Sequence, residues 1–489
     1  MKRSTYIWSL LVGCVAFATS CDLTENVQVK ADKSMIFGSK SGLELYSNSF
    51  YKALPTLKNG FMQDKMCDVG AVSNTDTFIK QGAYNTETAT SWSWGALKNV
   101  NYFIDGCNDP KYCTVEAETR DNYLGIARWF RAWFYYDKLT TYGEVPWFPN
   151  DIQSYQNDVM YKDRDSRDVI IRNLIADLDF AYEHIQATSS TGSATLTRWA
   201  AAALKSRVCL FEAAYRRYHN LTGLEITPEE LYREAAKAAK LVIDNSGCSL
   251  NTAAGKKGAY RDLFYSETPL TQEVILAVCA NEKSGIFGEQ NWWFNARSYG
   301  LCWSLVRSFV HTYLKQDGTP FTAAADYAVK SFAEEMEGRD LRLEQTVRGR
   351  NFLWDGKTAV ADIKNLSLTG YQVIKYTLDE SKYDGGAKNI NSIPLIRYAE
   401  VLLNYAEAQA ELGVITDSEW ALTVGALRKR AGITGGTETL PTTVDSYLQR
   451  TFYPDVTSPV LLEIRRERAI ELVAEGMRFD LSLIHISEP

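Results

Sequence analysis

Ala127-Arg128-Trp129-Phe130-Arg131-Ala132-Trp133-Phe134-Tyr135-Tyr136-Asp137-Lys138-Leu139 is the stretch that decides the fold class. Read from residue 122 to residue 140, the apolar residues Tyr123, Ile126, Ala127, Phe130 and Phe134 recur at offsets of three, four, seven and eleven, which is helical periodicity. Aromatic residues also occupy the other faces, so the spacing predicts a helix packed on more than one side.

Working outward, further helical patterns cover residues 166–185, 197–218 and 228–243. In the last of these Leu231, Ala235, Ala238, Ala239 and Val242 form one face of small residues that lets helices approach closely. The connections are short and polar, as in stacked helix pairs. Upstream, residues 43–57 and 92–107 read as helices separated by a Gly-, Asn- and Thr-rich loop. Downstream, residues 249–391 turn irregular, and the apolar run 273–280 is short enough to be a strand. Helical spacing returns at Leu395, Ala399, Leu402, Leu403, Ala406 and Ala410, then over 420–431 and 461–475. The expected architecture is mainly α: a tetratricopeptide-like helix-pair scaffold with a loop-rich, irregular insertion containing a few short strands. No strict repeat of about 34 residues can be laid over the chain.

Lys2 and Arg3 precede an apolar run over residues 6–17, too short to span a bilayer but sized for a signal-peptide core. Ala18-Thr19-Ser20-Cys21 follows and resembles a bacterial lipobox, which implies cleavage and acylation of Cys21. The expected divisions are a signal peptide (1–20), an N-terminal helical part (21–248), an irregular ligand-side insertion (249–390), a C-terminal helical part (391–481) and a tail (482–489). Past Cys21 no run of about twenty apolar residues is present. The formal charge of -7 becomes -9 once Lys2 and Arg3 leave, and no stripe of Lys and Arg exists, which argues against a nucleic-acid partner. Without Cys14 and Cys21, seven of the nine cysteines remain, scattered and odd in number, which is no disulfide framework. Cys107 and Cys113 are spaced either to close a small loop or to stay as two structural thiols.

The stretch 127–139 runs into Tyr142-Gly143-Glu144-Val145-Pro146, and together they resemble the "A-R-x-x-R-A-x-x-Y-x-x-L" helix and "Y-G-x-V-P" turn of the SusD/RagB family. More segments follow in the family's order: Arg167-Asp168, Thr197-Arg198-Trp199-Ala200-Ala201, residues 396–408 from Ile396 to Ala408, and Arg428-Lys429-Arg430-Ala431-Gly432. The last are Glu467-Arg468-Ala469-Ile470-Glu471-Leu472 and Glu475-Gly476-Met477-Arg478-Phe479-Asp480-Leu481. The resemblance covers nearly the whole mature chain. It implies a surface lipoprotein, anchored in the outer membrane, that captures oligosaccharide, or less often peptide, for a SusC-like TonB-dependent barrel transporter. After Leu481 the family pattern expects Arg-Trp and further turns, whereas this chain reads Ser482-Leu483-Ile484-His485-Ile486-Ser487-Glu488-Pro489. A truncated C-terminal part and a non-native tail over 482–489 are therefore expected.

The motif residues have a reading as scaffold. Glu463, Glu467 and Glu471 with Arg466 and Arg468 stand at spacings that support a helix by pairs three or four apart, worth about 0.2 to 0.5 kcal/mol each when exposed, while Arg128, Arg131, Arg397 and Asp480 pair between helices. Trp129, Trp133 and Trp199 read as core. Glu334, Glu335 and Glu337 read as a solvated helix face.

For chemistry, the four histidines, His184, His219, His311 and His485, are far apart, and there is no G-x-S-x-G, H-E-x-x-H, P-loop or dinucleotide fingerprint. No enzyme activity, cofactor or metal ligand set is expected; a surface glycoside hydrolase and a peptide-binding relative are the alternatives. Twelve Trp and twenty-eight Tyr, some in polar loops, suit sugar, whose apolar C–H faces lie on aromatic rings while loop polar groups orient it. Trp92 and Trp94 occupy the region where the resemblance places binding aromatics. Trp292 and Trp293, beside Asn291 and before Arg297 and Tyr299, form a second cluster. The candidate ligand-binding residues are thus Trp92, Trp94, Trp292, Trp293 and Tyr299; core packing remains the other reading of Trp92, Trp94 and Trp292.

Overall fold

Helix-forming runs with apolar residues on several faces cannot stand alone, and here they stack on one another. The computed structural model describes residues 33–73, 91–296, 300–360 and 365–478. The N-terminal helices are α1 (Lys33–Phe37), α2 (Lys40–Ser47), α3 (Gly95–Asn108), α4 (Ala117–Tyr142), α5 (Asn157–Met160), α6 (Arg167–His184), α7 (Arg198–Tyr218) and α8 (Pro228–Asn245). Then come α9 (Ala259–Tyr265), α10 (Gln290–Asn295), α11 (Arg307–Val310), α12 (Phe332–Met336) and α13 (Arg342–Thr346). The last group is α14 (Tyr398–Glu411), α15 (Asp417–Leu422), α16 (Val424–Arg430), α17 (Ser446–Phe452) and α18 (Pro459–Glu471). The strands are short: β1 (Gly70–Ala71), β2 (Val274–Val278), β3 (Ser304–Leu305), β4 (Leu353–Trp354), β5 (Lys357–Thr358) and β6 (Ile393–Arg397). The fold is mainly α, as expected. Among the described residues no helix is long and apolar enough to cross a membrane.

Consecutive helices pack as neighbours: α4 on α6, α6 on α7 and α7 on α8. Then α14, which follows α8 by about 150 residues of sequence, closes on α8 and α7 and carries α18 on its other side. The face Leu231, Ala235, Ala238, Ala239 and Val242 is buried throughout. Thr227 and Glu230 start α8 with a reciprocal capping box and Pro228 occupies its first turn. Trp129 is fully buried and stacks on Trp133 at 5.3 Å; Trp133 and Trp199 are half-buried against the same core. The apolar run expected as a strand is β2, paired antiparallel with β6 in the register Val274↔Arg397 to Val278↔Ile393.

Some boundaries differ from the periodicity. The helix expected over 43–57 is α-helical only to Ser47 and tightens to a 3-10 turn ending at Ala53, just before Leu54 turns extended ahead of Pro55. The run 420–431 is broken at Thr423, whose hydroxyl turns back to the Glu419 carbonyl. Within α3, Gly106 meets Phe37, and a Cβ there would fall 2.0 Å from the ring. Gly106→Ala is therefore expected to cost about 1 to 3 kcal/mol by overpacking, seen as a lower melting temperature.

The charged motif residues pair differently from the expectation. Glu463, Glu467, Glu471, Arg466 and Arg468 are buried, because α18 is enclosed by α14, α16, α17 and the irregular region. Glu463 and Arg466 do form a pair three residues apart at 2.9 Å. The others reach across elements: Arg468 to Glu407 at 2.6 Å, and Glu471 to Arg430, Arg397 and Arg342 at 2.5, 3.0 and 2.9 Å. Arg397 also meets Glu273, and its guanidinium grips Glu475. Pairing between helices holds for Arg131, bidentate to Asp177 at 2.6 and 2.7 Å, with Arg128 more distant from the same carboxylate at 3.9 Å. Asp480 lies outside the described residues.

Lys375 joins this network, donating to Glu475 Oε1 and the Val473 carbonyl at 2.7 Å each. Burial pushes its ammonium down from 10.5 to about 8 although Glu475 pulls the other way. Between these values the unfolded chain holds a proton that the folded chain has released, so stability rises with pH across the window and the charging cost is complete below it. Relative to Lys375→Met, the wild type is expected to gain on the order of 3 kcal/mol between pH 7 and 10.5, measured as the difference in denaturation free energy. A flat difference would disprove it.

Candidate functional site

The first aromatic cluster is built where the chain enters α3 and leaves α4. Trp94 caps the start of α3 and is half-buried, its ring 5.5, 6.2 and 5.3 Å from Phe134, Tyr135 and Phe148. Trp92, two residues earlier, is 42% exposed, with its ring edge-on to Trp94 at 5.2 Å and to Tyr142 at 4.8 Å. The Arg164 guanidinium lies 5.6 Å from the Trp92 ring. A frame holds it there: the Ser91 hydroxyl bonds the Tyr142 hydroxyl, and buried Lys138 donates to the Ser91 carbonyl at 2.7 Å. Trp94 thus backs the ring that Trp92 presents.

The second cluster centres on α10. Trp293 is half-buried on the second core and donates from Nε1 to Glu289 at 3.1 Å, and Glu289 in turn meets Lys58 at 2.9 Å. Trp292 is half-buried on the same short helix. Asn291, which the sequence places beside the two rings, is fully buried: it donates to the Leu378 carbonyl and accepts from the Leu378 amide and Asn389. It holds α10 to the 378–391 strip. Arg297 and Tyr299 lie outside the described residues, as do Cys21 and the tail 482–489.

Sequence reasoning missed the polar surroundings of α10. Asn295 donates to Asp384 at 3.1 Å and accepts from Gln372 at 3.2 Å, and Gln372 accepts from Arg348 at 3.3 Å. The Arg348 guanidinium lies 5.1 Å from the Phe352 ring and 5.9 Å from Trp354, on the β4–β5 hairpin. Half-burial raises the Asp384 carboxyl above its ordinary value, against the hydrogen bonds from Asn295 and Asn291. These residues come from four separate stretches, so no local period marks them. The turn signals Asp355-Gly356 and Asp384-Gly385-Gly386 were the available hints.

Among the described residues neither cluster pairs a nucleophile with a base. His311 is buried with Glu335 at 2.9 Å, and Arg307 and Tyr371 also bond that carboxylate. Glu335 is therefore no part of a solvated face: α12 turns it inward while Glu334 and Glu337 stay exposed. Among the described residues no group of three or more His, Cys, Asp or Glu is placed to hold a metal ion. What the clusters offer is ring faces beside amide, carboxylate and guanidinium groups, the chemistry of a shallow polar-ligand surface.

Residues 272–481 match the SusD family model. Over these residues the chain is similar to the SusD family. No curated protein matches it in sequence. Its fold is similar to that of a SusD-like carbohydrate binding protein from Bacteroides fragilis, at 19% identity and a TM-score of 0.71, over 92% of this chain and 88% of that one. A SusD homolog from Bacteroides thetaiotaomicron is 18% identical, with a TM-score of 0.66 over 93% and 88%. A third structure, described as being with xylogluco-oligosaccharide, is 19% identical, with a TM-score of 0.54 over 80% and 70%. At these identities the likeness is one of fold. The motif residues Arg131, Arg397, Arg430 and Glu471 are engaged in interior ion pairs.

Proposed function

We propose that this chain is a SusD-family lipoprotein of the outer-membrane surface, anchored through Cys21, that binds oligosaccharide without transforming it and passes it to a SusC-like TonB-dependent transporter. The observation that carries the reading is Trp92, an indole 42% exposed yet fixed by Trp94, Tyr142 and Arg164. An ordered exposed ring loses little entropy on binding and offers a flat apolar face to a sugar. Trp92, Trp292 and Tyr299 are the proposed contacts; Trp94 and Trp293 support them. The carbohydrate named for the Bacteroides fragilis structure and the xylogluco-oligosaccharide of another support this ligand class. Residues 249–390 would then supply the ligand side of a scaffold formed by 21–248 and 391–481.

The test is a binding screen of the purified chain against plant, host and microbial glycans and mixed peptides, with product analysis alongside. Binding of a glycan without cleavage is the expected result. A folded sample that binds none of them would refute the reading, and turnover would replace it with a hydrolase.

A further inference from the structure

The segment between α4 and α6 carries side chains that folding does not use. Tyr155 and Tyr161 are 79% and 80% exposed, and Val159 and Met160 between them are 42% and 37% exposed. Neither tyrosine makes a side-chain hydrogen bond or ring contact among the described residues, yet the segment beneath them is tied down at both ends. At one end Lys98 of α3 donates to Asp151 and to the Ile152 carbonyl at 2.8 and 2.9 Å, and Asp105 accepts from the Asp151 amide at 2.8 Å. In the middle Gln156 bonds back to Gln153, and Tyr161 closes the α5 turn onto Asn157. At the other end Arg164 lies over Trp92 and Lys162 pairs with Asp165 at 2.6 Å. Three residues of extended chain reach at most about 11 Å, so the Tyr161 backbone lies within that distance of the Arg164 backbone, whose guanidinium neighbours Trp92, while Lys162 of the same segment lies 5.6 Å from the Phe148 ring that packs on Trp94.

Single exposed apolar residues need no explanation, but four within seven positions on a tethered segment are a concentration that folding does not account for. Its texture decides between occupants. Gln156, Asn157, Asp158 and Lys162 separate the rings, so no continuous dry area of the kind a protein interface core requires is present. Rings set among amides and carboxylates match a hydroxylated chain. Asp158 and Asp163 are exposed and have no ion pair among the described residues, which disfavours an anionic ligand.

We infer that Tyr155 and Tyr161 form an outer subsite, continuous with Trp92, that takes the extension of a long neutral glycan beyond the units Trp92 covers. The inference rests on the oligosaccharide-binding reading above and adds to it that longer, uncharged chains bind better than short or acidic ones.

The experiment is affinity electrophoresis of the purified chain in gels containing xyloglucan, starch, arabinoxylan, mannan, galactan or the acidic homogalacturonan. It is repeated for Trp92→Ala and the double variant Tyr155→Ala/Tyr161→Ala, and followed by titration with the tri- and tetrasaccharides of whichever polymer retards the wild type. Both side chains of the double variant are exposed, so its fold should be intact, which circular dichroism checks. The expected result is that the double variant binds a neutral polymer about tenfold more weakly but its short oligosaccharides unchanged, while Trp92→Ala weakens both. A double variant equal to wild type on the polymer, with Trp92→Ala still impaired, overturns the subsite and leaves the reading standing. Equal losses on short and long chains overturn the extension, and retardation by homogalacturonan as strong as by any neutral polymer overturns the ligand class. If no glycan retards the folded wild type, subsite and reading fall together.

Discussion

Glu471→Ala is expected to lower the stability of the chain by about 3 to 5 kcal/mol, the cost of breaking a buried ion pair by removing one partner. Glu471 is fully buried at the end of α18, where Arg430, Arg397 and Arg342 converge on its carboxylate. Burial alone would raise its pKa; the three guanidinium groups outweigh it and hold the carboxyl well below its ordinary value of 4.5. Its contribution is therefore present above about pH 4.5 and is lost as pH falls towards the depressed folded value. The substitution leaves the three guanidinium groups buried with one acceptor fewer, although Glu273, Glu475, Asp340 and Glu467 still serve them. Against a usual total stability of about 5 to 15 kcal/mol, the loss should be plain in the denaturation midpoint. Arg172→Ala is the control: its pair with Glu225 lies in solvent, so the midpoint should not move. A Glu471→Ala midpoint equal to that of the control would show that the network adds nothing.

Trp92→Ala is expected to weaken glycan binding by about 1 to 2 kcal/mol, roughly 5- to 30-fold, with no change in melting temperature. The ring is the exposed member of its cluster, so its removal opens no cavity. Trp94→Ala should behave differently. Its indole packs on Phe134, Tyr135 and Phe148, and truncation leaves a void at the start of α3, which should lower stability by about 2 kcal/mol and impair binding only through the lost support under Trp92. Titration calorimetry beside thermal melts separates the two. If Trp92→Ala binds like wild type, this cluster is not the ligand surface.

The contrast between these two tryptophans shows how far the site could be read ahead of the structure. Two rings two residues apart, after a polar loop, marked the region as worth testing. Which ring faces outward depends on Phe148, which follows Trp94 by 54 positions, and on Tyr142 and Arg164, which close around Trp92 from other segments. The polar residues Asp384, Gln372 and Arg348 around α10 and the exposed Tyr155 and Tyr161 carry no periodic signal, because they belong to irregular chain whose neighbours are set by tertiary contacts.

For the fold the balance is different. The spacing of Tyr123, Ile126, Ala127, Phe130 and Phe134 and the small-residue face of α8 were enough for the sequence alone to determine a mainly helical, pairwise-stacked scaffold, since apolar period is a local property of the chain. Local pattern has no access to what packs on a side chain from a distant element. That is why Glu335, which reads as solvated from its own helix, is interior, met by His311 and Arg307, and why Glu471 of α18 pairs with Arg342, Arg397 and Arg430 on other elements rather than along its own helix. Tertiary structure decided which charges are buried and which aromatic rings reach solvent, because burial is a property of the pair and not of the residue.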